Sequence, residues 1–198
     1  MAIRSLKTGS FSRSAQAGNT MIFPGSYESI ATVTVSTPVS SITFSSIPAT
    51  YQHLQLRLLV RMASGTGGTD NMAMQFNADT TNANYASHSL RGSGTSVVAE
   101  SYVTSYPIIL RDVVPRDGLT ASVYGALVID ILDYASTNKN KTVRTLSGND
   151  SNGAGTIALT SGLWMNSANA ISSIKLYDYD NSGYNFASNC SFALYGVK

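Results

Sequence analysis

The feature that most constrains this chain is a two-residue period in its apolar residues. Between His53 and Met62, Leu54, Leu56, Leu58, Val60 and Met62 fall on one side, and His53, Gln55, Arg57 and Arg61 on the other, with Leu59 breaking the pattern. Successive side chains of an extended strand point to opposite faces, so this spacing predicts a strand with one face in a core. An amphipathic helix would return its apolar residues every three or four positions instead. Met72, Met74 and Phe76 repeat the alternation, as do Ala31, Val33 and Val35. Shorter segments of the same character run over 42–44, 85–91, 97–103, 141–147, 157–163, 171–177 and 192–197.

Between these segments lie turn-rich connections such as SGTGGTD at 64–70, GSGTS at 92–96 and GNDSNGAG at 148–155. Charged residues make up 12% of the chain, against roughly a quarter in an average soluble protein. The missing polarity is neutral: 29 serines, 19 threonines and 14 asparagines, which favour turns and pleated surfaces over helix interiors. About ten short strands in 198 residues predict an all-β fold: a single β-sandwich, with a jelly roll as the expected topology. That domain is assigned to residues 28–198, and no helix of three turns is predicted within it.

Residues 1–27 read differently. Arg4, Lys7 and Arg13 precede the first acid, Glu28, and no apolar period accompanies them. A segment of this composition does not bury itself locally, so it predicts an extended basic arm that binds a partner. A second partner-facing segment is Val123 to Leu132, apolar at nearly every position except Asp130. Strands apolar on both faces are covered twice. Val128, Asp130 and Leu132 are therefore expected at a contact with another subunit.

Chemical motifs are sparse. One cysteine, Cys190, and two histidines, His53 and His88, leave no zinc constellation and no disulfide framework. Asp178 to Gly183 (DYDNSG) opens like a calcium loop, but Asn189 stands where the closing acid belongs, and no metal is predicted. Asp130 and Asp133 lie three apart, which in a continuing strand puts them on opposite faces and rules out a joint carboxylate site. No serine lies in a nucleophile elbow. The glycines at 65, 67 and 68 lack the Lys-Ser or Lys-Thr of a phosphate loop. A net charge of +2 is too small to hold the molecule on nucleic acid, and no apolar run reaches membrane-spanning or signal-peptide length. The expectation is a non-enzyme without cofactor, nucleic acid or membrane, made without export.

Three segments, ITFSSIPATYQHLQLRLLVR (42–61), FNADTTNANYASHSLRGSG (76–94) and SSIKLYDYDNSGYNFASNCSFALYGVK (172–198), together resemble small all-β virion structural proteins of tailed bacteriophages. The resemblance implies assembly in the bacterial cytoplasm and a place in the virion. It points first to a capsid cement or decoration protein on the head surface: a homotrimer bound to the major capsid protein through its arm and β-domain. The alternative is a tail or fibre component that binds a host-surface glycan through Tyr179 and Tyr184, since aromatic rings stack on sugars.

Overall fold

The computed structural model describes residues 15–17, 20–22, 25–103, 107–179 and 183–198. Strands β1 (Ala15–Ala17) and β2 (Thr20–Ile22) pair with each other antiparallel. Twelve further strands build the domain. The first half of the chain supplies β3 (Tyr27–Thr34), β4 (Ser41–Phe44), β5 (His53–Val60), β6 (Thr69–Phe76), β7 (Tyr85–Ser93) and β8 (Ser96–Val103). The second half supplies β9 (Ile108–Pro115), β10 (Gly125–Leu132), β11 (Lys141–Asp150), β12 (Gly155–Trp164), β13 (Ile174–Asp178) and β14 (Ser191–Val197). The helical content among the described residues is one turn at Asn82–Asn84.

Two antiparallel sheets pack face to face. One has eight strands in the order β3-β14-β5-β10-β11-β12-β7-β8, the other four in the order β4-β13-β6-β9. The chain is an all-β sandwich, as the alternation predicts. Leu54, Leu56, Leu58 and Val60 of β5 point into the core together with Leu127, Ile129 and Ile131 of β10. Met72, Met74, Phe76, Ile174 and Leu176 meet them from the smaller sheet. Each such buried side chain contributes about 1.5–3 kcal/mol from the area it removes from water. Cys190 lies in this core with its thiol pKa pushed up by burial. Its Sγ accepts the Arg61 amide hydrogen and donates to the Arg61 carbonyl, so it fills space and ties two strands' ends together.

Three features depart from the pattern read in the sequence. Strand β9 breaks the alternation: Asp112 sits at φ +48° and the register with β6 shifts between Asp70 and Met72. A bulge re-aims the residues on either side of it, which erases a period-two signal. Arg61 is not on the solvent side; it is buried and donates hydrogen bonds to the carbonyls of Asp117, Leu119, Thr120 and Val123. Asp70 is no turn residue but a fully buried member of β6, hydrogen-bonded to Arg116 at 3.3 Å. Where β9 runs beside β10, a Cβ at Gly125 would lie 2.1 Å from the Val113 carbonyl oxygen, so only glycine lets these backbones approach.

Candidate interaction surface

The alternation that fills the core also decides the far side of the eight-stranded sheet. Residues opposite one another on neighbouring strands form rows across it. One row runs Ser191, Leu59, Ala126, Gly148, Ile157, Gly92, Val97 from β14 to β8. The next runs Ala193, Arg57, Val128, Leu146, Leu159, Leu90, Ala99 over the same strands. Arg57 apart, these two rows carry no charge, and their large members stand open: Ile157 is 61% exposed and Val97 74%. The rows floor a groove of about 940 Å³ that the β11–β12 turn borders. Small residues make its depth, with Gly92 and Gly148 on either side of Ile157.

A third row turns polar: Tyr195, Gln55, Asp130, Arg144, Ser161, His88, Ser101. Its charges are already paired. Asp130 accepts from Gln55 Nε2 at 2.8 Å and from Arg144 at 2.9 Å; burial pulls its pKa up, but these donors outweigh it and hold the carboxyl below its ordinary range. Gln55 also accepts from Arg57 Nε at 2.9 Å, and the Arg57 guanidinium lies 5.3 Å from the Tyr27 ring centre and 5.1 Å from that of Tyr195. A continuous ladder thus links β3 to β11 along the border of the apolar rows. Beyond it, the strand does not continue as the sequence suggested: β10 ends at Leu132, and Asp133 adopts φ +49°. Its carboxylate turns to Lys139 at 2.7 Å and His53 at 3.6 Å. Lys139 holds the Asp133 carboxyl below its ordinary range. Both aspartates are ion-pair partners.

Of the residues singled out from the sequence, Val128 and Leu132 stand half-exposed on this outer face while Leu127, Ile129 and Ile131 fill the core. Arg4, Lys7 and Arg13 lie outside the described residues. Tyr184 and Tyr179 make different contacts. Tyr184 lines a small recess of about 190 Å³ with Tyr177, Asp178 and Lys175, below the usual 300–1,000 Å³ of ligand sites, and its ring faces the Arg116 guanidinium at 5.7 Å. Tyr179 instead binds the Asn71 carbonyl through its backbone amide at 3.0 Å. Asp178 is buried, and residues 180–182 of the calcium-like stretch fall outside the described residues. Among the described residues no three metal-ligating side chains cluster, and no helix is long and apolar enough to cross a membrane.

Comparison with protein-family models, curated proteins and solved structures finds no match. The surface therefore speaks through its own geometry. Leu90, Leu146, Ile157 and Leu159 are the members that the sequence pattern did not single out. A signal was present: each occupies the solvent-side position of an alternating strand where a threonine or charge is ordinary.

Proposed function

We propose that this chain is a structural subunit of a bacteriophage virion, acting by assembly and not by catalysis, as a homo-oligomeric cement or decoration protein of the head shell. The observation that carries the assembly reading is the uncovered apolar face. Seven strands at about 4.8 Å spacing and two apolar rows about 6.8 Å apart span on the order of 450 Å², and roughly 700 Å² with the bordering polar row, approaching the ~800 Å² that each partner contributes to a stable protein contact. An apolar patch of that size is often the functional surface of its protein. The occupant we assign is another copy of this chain. Asp130 and Arg144 neutralise each other, and the Arg57 guanidinium is held by Gln55 and by the rings of Tyr27 and Tyr195, so the one net charge a second copy meets in this ladder is already engaged.

Strand order supports the same reading. Eight strands make two sets of neighbours, β3-β14-β5-β10 and β4-β13-β6-β9, and the chain crosses between the sets at every step but β6 to β9. We read this as a jelly roll, an architecture used by viral shells and by lectins, with hairpins β7–β8 and β11–β12 inserted. The sequence resemblance supplies the phage setting and the trimeric state, with the basic arm bearing Arg4, Lys7 and Arg13 as the tether to the major capsid protein.

Labelling the chain in intact virions and imaging the label tests the reading. Label on the head supports it, label at the tail favours the glycan-binding alternative, and particles without label overturn both. Removing residues 1–20 is expected to abolish occupancy on purified shells while leaving the β-domain folded. Unchanged occupancy would refute the tether.

A further inference from the structure

Sheet edges carry unpaired backbone donors and acceptors, and proteins blunt them with bulges, charges, prolines or short strands. Three of the four edges of the two packed sheets are blunted in that way. Strand β3 has a register shift against β14 at Leu194/Tyr195 and an ion pair between Glu28 and Lys198 at 2.8 Å. Strand β4 has only four residues. Strand β9 has its break at Asp112, carries Arg111 and ends at Pro115. The fourth edge, β8, has none of these. It pairs with β7 in unbroken register over all eight residues, Ser96 opposite Ser93 through Val103 opposite Ala86. It contains no proline and no basic residue, and its single acid, Glu100, is turned inward onto Arg111 at 3.1 Å and Arg91 at 3.6 Å.

We propose that the Ser96–Tyr102 edge of β8 is the seam of a two-fold contact, where it pairs antiparallel with β8 of a second copy and joins two eight-stranded sheets into one. The inference goes beyond the face contact above and stands on a different surface. Antiparallel partners share a face only when their residue numbers are both odd or both even. Placing Ala99 on the two-fold axis meets that condition: Ala99 faces Ala99, Val97 faces Ser101, and Val98 faces Glu100. No like charges then stand opposite each other, and each Glu100 arrives already neutralised by its own arginines. Ala99 belongs to the second apolar row, so that row runs on through the seam into the same row of the other copy, while the row of Val97 meets the polar row of Ser101. A second copy is the occupant because an isologous contact satisfies both edges at once and leaves none open on that side.

Mild oxidation of the full chain carrying Ala99→Cys tests this. Opposed Cα atoms of an antiparallel pair lie about 4.5–5.5 Å apart, within disulfide reach, and Cys190 is fully buried and does not compete. The expected product is a covalent dimer, formed equally in a Leu146→Glu background that disables the face contact. Absence of the crosslink in the folded protein overturns the seam. A crosslink that forms in the parent but is lost with Leu146→Glu also overturns it, because the face contact would then be what brings Ala99 residues together. Joined to the trimer proposed above, the isologous seam pairs two trimers into six chains, so a sedimentation mass of three chains and no more counts against it.

Discussion

Leu146 of β11 and Leu159 of β12 stand directly opposite each other on the side of the sheet turned away from the core, 52% and 50% exposed. A cross-strand leucine pair contributes little to a lone subunit when water reaches both of its members. Converting Leu146 to Glu and Leu159 to Lys, which keeps the cross-strand pair complementary, is expected to change unfolding free energy by no more than about 0.5 kcal/mol, as for other exposed sites. Self-association should weaken at least about 100-fold, equivalent to ~2.7 kcal/mol. Sedimentation velocity across a concentration series reads the second effect and urea unfolding the first.

Asp79 predicts a pH dependence. Burial raises its pKa, but hydrogen bonds from Asn84, Trp164 and Thr81 outweigh this and lower it to about 2. The folded-state value lies below the unfolded one, so the contribution is complete above about pH 4 and disappears as pH falls towards 2. Asp79→Asn is expected to cost on the order of 2 kcal/mol at pH 7, with the gap from the parent closing over that acidic window. Unfolding midpoints measured from pH 2 to pH 7 check it; a constant gap would refute it.

Arg61 holds the 117–123 connection by four carbonyls and has only 5% exposure. Arg61→Met keeps its bulk and removes every donor. The loss should be about 3 kcal/mol or more, since unsatisfied polar groups cost ~1–3 kcal/mol each and the loop regains part by hydration. Hydrogen exchange should quicken at residues 117–123 before it changes in β5.

Two glycines are expected to respond for different reasons. Gly125→Ala forces a Cβ onto the Val113 carbonyl, so β9 and β10 must separate, at a cost of about 1–3 kcal/mol. Gly67→Ala has open space around it but φ +56°, which limits the cost to roughly 1 kcal/mol of backbone strain. Thermal melts of the two variants should rank in that order.

The fold was legible where side chains report directly on burial, as at Leu54 to Val60, whose inward residues all reached the core. It was illegible at β9, because a left-handed Asp112 shifts the phase in mid-strand. Arg61 was misread for a related reason: β5 ends at Val60, and one residue later alternation no longer decides where a side chain points. The surface was half legible. Val128 and Leu132 announced themselves inside an apolar run, whereas Leu90, Leu146, Ile157 and Leu159 were dispersed over three strands. Their adjacency exists only in the registers between β7, β12 and β11, which a linear row does not contain.

Hairpins β7–β8 and β11–β12 both leave and rejoin the chain between strands of the eight-strand frame, and all four lie at one end of the larger sheet. Most of the apolar rows therefore sits on additions and not on the frame. Lengthening, shortening or recolouring these hairpins would resize the contact without reordering the remaining strands. Each hairpin buries one face, with Tyr85, Val143 and Trp164 in the core, and presents the other, with Leu90, Leu146 and Leu159, so the molecule's partners can change through the outer face while the core persists.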